Sequence, residues 1–152
     1  MSALKKVFTI IVKVDKPVLV GQDDISGRRQ LIPITEGELI GEGMHGTVLP
    51  GGIDSQVIRP NGVCELSARY AVRMDDGSSF YIENNGIRTV PQEDVPRVLA
   101  GEFVDPSHYY FCTKPEFEVY DRRLDWLKSK VFVCTATRYP DSVHLDYLTI
   151  EQ

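Results

Sequence analysis

The sequence has no long apolar run and no long basic run, and each absence removes a class of partner. The most apolar stretch near the start, Val7 to Val12, is broken at Lys13 and Asp15. It falls well short of the roughly 20 residues a membrane-spanning helix needs and of the apolar core of a secretory leader. A cytoplasmic location is the simplest expectation. With 17 basic and 22 acidic residues the net charge is −5, which disfavours nucleic acid and phosphate-rich ligands.

Cysteine and histidine are scarce too. The three cysteines, Cys64, Cys112 and Cys134, are widely spaced and include no Cys-x-x-Cys pair, so reduced structural thiols are expected rather than a disulfide frame. The three histidines, His45, His108 and His144, stand apart, without His-x-His or His-Glu-x-x-His spacing, and give no basis for a metal site. Ser55 lacks the Gly-x-Ser-x-Gly frame of a nucleophile elbow, and Gly51-Gly52 leads into neither a phosphate loop nor a dinucleotide fingerprint. No repeat or low-complexity segment interrupts the chain, so residues 1–152 are read as one domain around one core.

What the sequence does contain is alternation. From Gly62 to Met74, Leu66, Ala68, Tyr70 and Val72 share one parity while Glu65, Ser67, Arg69 and Arg73 share the other, as in a strand with two unlike faces. Asp75-Asp76-Gly77-Ser78 supplies a tight reversal, and Ser79 to Asn84 completes a β-hairpin. Two readings follow. Either the apolar parity faces the core and the polar one is solvated, or Glu65, Ser67 and Arg69 line an internal cavity.

Val7 to Val14, rich in β-branched residues, reads as a strand buried on both faces. Gln22 to Arg29 reads as a loop, and Gln30 to Thr35 as a strand that Pro33 confines to an edge or bulge. Short strands follow around Leu39 and Ile40, from His45 to Leu49 and, after a corner at Pro50-Gly51-Gly52, from Gln56 to Arg59. Pro91 to Ala100 is the one helical candidate, with Pro91 suited to its first turn, Glu93 and Asp94 near its positive end and Gly101 as its stop. Ser107 to Val119 forms an aromatic strand broken at Pro115. Asp121 to Lys128 fits a helical turn or ordered loop, and Val131 to Arg138 with Ser142 to Ile150 a closing hairpin. About nine or ten short strands with one helix define an all-β sandwich or barrel.

Several residues stand out from this frame. Asp54 and Gln56 follow the glycine corner, which either aims them inward or is capped by them. Asn84 and Gly86 suit a turn, which leaves Arg88 without a structural role. Tyr109, Tyr110 and Phe111 are consecutive, so at least one ring faces inward and one outward. Trp126, among Arg122, Arg123 and Lys128, fits either a lid over an opening or a surface cluster.

Gly27-Arg28-Arg29 leading to Ile32-Pro33-Ile34, Gly46 to Gly52 with Asp54 and Gln56, Asn61-Gly62 to Tyr70, Asp75-Asp76-Gly77, Asn84-x-Gly86-x-Arg88 and Tyr109-Tyr110-Phe111-x-Thr113 occur in that order. This succession resembles the DUF3237 (UPF0311) family over nearly the whole chain. The resemblance implies a small closed antiparallel β-barrel, similar to lipocalin-type ligand binders, that self-associates into homo-oligomers. The chain is also similar to fungal barrels of tropolone-sesquiterpene pathways, which promote an intermolecular hetero-Diels-Alder reaction without a cofactor.

The function implied is a cofactor-independent enzyme of secondary metabolism. It would hold an apolar or aromatic, polyketide- or terpenoid-like substrate in the barrel for cycloaddition or isomerisation. The alternative is a non-catalytic barrel for hydrophobic ligands. On the catalytic reading Arg69, Arg88 and Tyr109 or Tyr110 polarise a substrate oxygen, while Asp54 and Glu65 orient them or exchange protons. Gln56 and Asn84 line the cavity, and Phe111 and Trp126 stack on the substrate.

Overall fold

In the computed structural model, which describes residues 3–152, alternating side chains commit strand after strand to one antiparallel sheet that closes on itself. The strands are β1 (Ala3–Val14), β2 (Val18–Asp23), β3 (Gly27–Gly41), β4 (Met44–Val48), β5 (Gly52–Ile58), β6 (Cys64–Met74), β7 (Ser79–Thr89), β8 (Tyr110–Val119), β9 (Phe132–Arg138) and β10 (Ser142–Glu151), with one short helix, α1 (Val95–Leu99), between β7 and β8. Ten strands make an eight-stave barrel. The difference arises because β4 and β5 lie end to end between β3 and β6, and β2 prolongs β1 along β3. Pairing of β1 with β3, from Phe8 opposite Gly41 to Val14 opposite Ile34, shuts the ring.

Closure sends one parity of each strand inside. In β6 the inner set is Leu66, Ala68, Tyr70 and Val72, all buried, because burying an apolar side chain yields roughly 1.5–3 kcal/mol. Arg69 and Glu65 therefore stand outside, which corrects the cavity-lining reading of that parity. In β1, Phe8, Ile10 and Val12 are fully buried while Val7, Thr9 and Ile11 are only partly so. The strand has one inner face, not the two buried faces its composition suggested.

β3 also differs from expectation, running unbroken through Pro33. Its register explains why. Leu31 pairs with Val18 and Ile34 with Val14, so Pro33 sits where the neighbouring stave is interrupted between β1 and β2. The missing N–H leaves no ladder bond broken, and the Pro33 carbonyl accepts from Asp15 N at 3.0 Å. The expected loop over Gln22 to Arg29 shrinks to the turn between β2 and β3.

The lumen has two unlike ends. At one, Phe8 and Tyr147 stack with ring centres 4.7 Å apart, Phe117 meets Phe132 at 5.1 Å, and the 3-10 turn Arg122–Lys128 adds buried Leu124 and Leu127. This is an aromatic plug. Toward the other end β1 reaches Val12, which pairs with Val143, which in turn pairs with Arg138. There the inner parity turns polar, and the segment carrying α1 crosses the opening with Val95, Val98 and Val104 buried. Gly62, at φ +86°, has to be glycine on two counts, since a Cβ would also meet Val95 Cγ2 at 2.6 Å. Among the described residues no helix is long and apolar enough to cross a membrane.

Candidate functional site

The polar end of the barrel holds a cavity of about 180 Å³ whose lining includes Gln30, Ile58, Arg88, Val98, Phe103, Tyr109 and Arg138. β7 delivers Arg88 on the same parity as Phe80, Ile82 and Asn84, and β9 delivers Arg138 on the parity of Phe132 and Cys134. Each arginine thus terminates an otherwise inward row. Arg88 is 8% exposed, with its guanidinium carbon 5.9 Å from the Tyr109 ring centre and 5.7 Å from that of Phe111. These cation–π contacts offset part of its desolvation, by roughly 0.5–2 kcal/mol each. Arg138 donates from Nε to the Tyr139 carbonyl at 3.0 Å. Burial, with Arg88 nearby, pulls its guanidinium below its ordinary value.

Neither guanidinium has a carboxylate partner among the described residues. The arginine ion pairs belong to Arg59, Arg69, Arg97 and Arg123. The carboxyl turned into the lumen is Asp54, on β5. It is joined to the cavity wall by a file of side chains in which Arg28 Nε donates to Gln30 Oε1 at 2.9 Å, Gln30 Nε2 to Gln56 Oε1 at 2.8 Å, and Gln56 Nε2 to Asp54 Oδ2 at 2.8 Å. Asp54 Oδ1 has no protein partner. Burial pushes this carboxyl above its ordinary value, against the Gln56 hydrogen bond and the pull of Arg88 and Arg138. Neither arginine forms an ion pair with it.

Deeper in the lumen lies Asn84, fully buried, its Nδ2 directed at Cys134 Sγ at 3.9 Å and its Oδ1 unpaired, as is Thr113 Oγ1. Desolvation raises the Cys64 thiol to about 11 and the Cys134 thiol to about 12, so both are poor nucleophiles. At the plug, the hydroxyls of Tyr70 and Tyr147 share a 2.8 Å hydrogen bond.

The structure divides the sequence candidates. Asp54, Gln56, Asn84, Arg88 and Phe111 point inward, and Tyr109 borders the cavity with its ring. Its hydroxyl is not a free donor, because it donates to the Arg138 carbonyl at 3.4 Å while accepting from Arg138 N at 2.6 Å. Four candidates lie elsewhere. Glu65 pairs with Arg59 and Arg69 with Glu83 at 3.0 Å, both on the outer wall. Tyr110 is 55% exposed on the opposite parity from Phe111. Trp126 meets Phe8 edge-on at 6.2 Å, covering the plug rather than the opening. Arg138 and Gln30 were not singled out from sequence, although both break an apolar parity, as Arg88 does.

A closed antiparallel barrel, packed at one end and hollow at the other, is a β-barrel with an internal pocket. Within that class the chain belongs to the family described as protein of unknown function DUF3237, whose model matches residues 2–150. A UPF0311 protein of Clostridium acetobutylicum is 58% identical over 146 residues, 96% of this chain and 92% of that protein. A crystal structure of a protein of unknown function from Clostridium acetobutylicum superposes with a TM-score of 0.95 at 55% identity, covering 99% of this chain and 98% of the other. A protein of unknown function from Rhodopseudomonas palustris superposes at 0.89 and 42% identity over 99% of both chains. An enzyme from Penicillium herquei shares the fold at 0.74 and 18% identity, covering 99% of this chain and 95% of its own.

Proposed function

We propose that this barrel is a cofactor-independent enzyme that takes a conjugated part of a small molecule into its polar end and promotes isomerisation or cycloaddition by stabilising negative charge on a substrate oxygen. The observation that carries the reading is the convergence of Arg88 and Arg138 on one cavity without a carboxylate between them. Keeping Arg88 buried without an ion-pair partner and beside a second, half-buried cation costs several kcal/mol, a cost that a purely structural barrel has no reason to sustain. In a site that excludes water, fixed donors of this kind act where charge develops, each contributing about 2.7–4 kcal/mol. Alignment of the reacting atoms between Tyr109 and Val98 supplies the entropic part. The fold shared with a fungal enzyme supports a catalytic role for such a lumen.

The test is turnover of conjugated carbonyl or quinone-methide precursors, followed by product enantiomeric excess. Acceleration with enantiomeric enrichment, falling about 100-fold or more in Arg88→Ala and in Arg138→Ala, is the expected result. Saturable binding with racemic product at the uncatalysed rate identifies a carrier instead.

A further inference from the structure

The proposed function leaves open whether the substrate is neutral until it reacts. Three features of the cavity bear on its charge and size. Its two cations, Arg88 and Arg138, both line it and neither forms an ion pair among the described residues, while the Asp54 carboxyl is buried and held by Gln56. Glu102 stands exposed on the rim and pairs with neither arginine. The aromatic wall is the ring of Tyr109, braced through its hydroxyl by the Arg138 backbone, and the ring of Phe111 lies behind Arg88. Finally, the space is about 180 Å³, slightly more than the roughly 150 Å³ apolar cavity that holds benzene.

We propose that the pocket recognises a preformed organic anion, a carboxylate carried on a single planar conjugated ring, with the carboxylate between Arg88 and Arg138 and the ring against Tyr109. Guanidinium pairs match a carboxylate with parallel N–H donors, and a developing enolate charge alone would not offset the buried Arg88 and half-buried Arg138 in the resting protein. A cavity of this size admits one ring with its acid group, so any further part of the molecule projects past Phe103, at the rim. This inference rests on the proposed site but not on the proposed catalysis.

Benzoate and its neutral isostere benzamide separate the possibilities, because they match in shape and differ in charge. Calorimetric titration of the wild-type protein is expected to show saturable benzoate binding with benzamide at least about tenfold weaker, the loss of one charge-assisted pairing. Arg88→Gln and Arg138→Gln are each expected to weaken benzoate by about tenfold or more and to leave benzamide nearly unchanged, a contrast that a misfolded variant does not produce. Benzamide binding as tightly as benzoate, or no saturable binding of benzoate, overturns the proposal. Benzoate binding without turnover of any conjugated precursor refutes the catalytic reading and keeps the anion site. Turnover of a neutral precursor that benzoate does not inhibit does the reverse.

Discussion

A single buried carboxyl sets the electrostatics of the lumen. Asp54 is raised above its ordinary value of 3.8 mainly by burial, so the folded state holds its proton more tightly than the unfolded chain does. Its stabilising contribution is therefore complete below the unfolded value and is lost as pH rises through the folded value. Asp54→Asn keeps an acceptor for Gln56 but cannot ionise. Denaturation midpoints of the two proteins, followed upward from pH 4, are expected to diverge, with wild type losing stability relative to the variant. A difference that stays constant with pH would show that Asp54 does not titrate in this window. Arg88 was legible in the sequence because no turn or strand face needed it. Arg138 was not, since a basic residue before Tyr139-Pro140-Asp141 looks like a solvated strand end until β10 brings it beside Val143.

At the scale of the element, β6 shows both what alternation can and cannot decide. Period two placed Leu66, Ala68, Tyr70 and Val72 on one face unambiguously, but which face closes inward depends on the whole ring, and the family resemblance drew Glu65 and Arg69 to the wrong side. Pro33 was read as confining its strand to an edge or bulge, and Pro115 as a break, for the same reason. Local rules do not reveal where a neighbouring ladder is already interrupted, between β1 and β2, or where β9 pairs with β8 only at Cys112 and Thr113. β7 carries a more specific constraint. A Cβ at Gly86 would lie 2.6 Å from Thr113 Cα, so β8 can approach only a glycine there. Gly86→Ala is expected to lower stability by about 1–3 kcal/mol, read as a reduced urea midpoint, and to disturb Arg88 two residues away. An unchanged midpoint would mean that the two strands part without cost.

For the molecule as a whole, the plug and the pocket divide the labour. Phe8, packed on Tyr147 and Phe132, belongs to the packed end, and Phe8→Ala is expected to cost about 3–5 kcal/mol of stability while probe affinity at the folded temperature stays unchanged. Effects at such distant sites add, so the double variant Phe8→Ala with Arg88→Gln should show the sum of the single changes in both stability and affinity. Coupling above about 0.5 kcal/mol would mean that the aromatic end transmits strain to the cavity.

Ladder pairs such as Ala3 with Glu151 and Lys13 with Ser142 join the first and last described strands. A growing chain leaving the ribosome consequently cannot seal its ring until the final strand emerges. Until then β1 presents a raw margin to solvent, and any premature stop within β10 yields a gaping sheet open to the wrong neighbour.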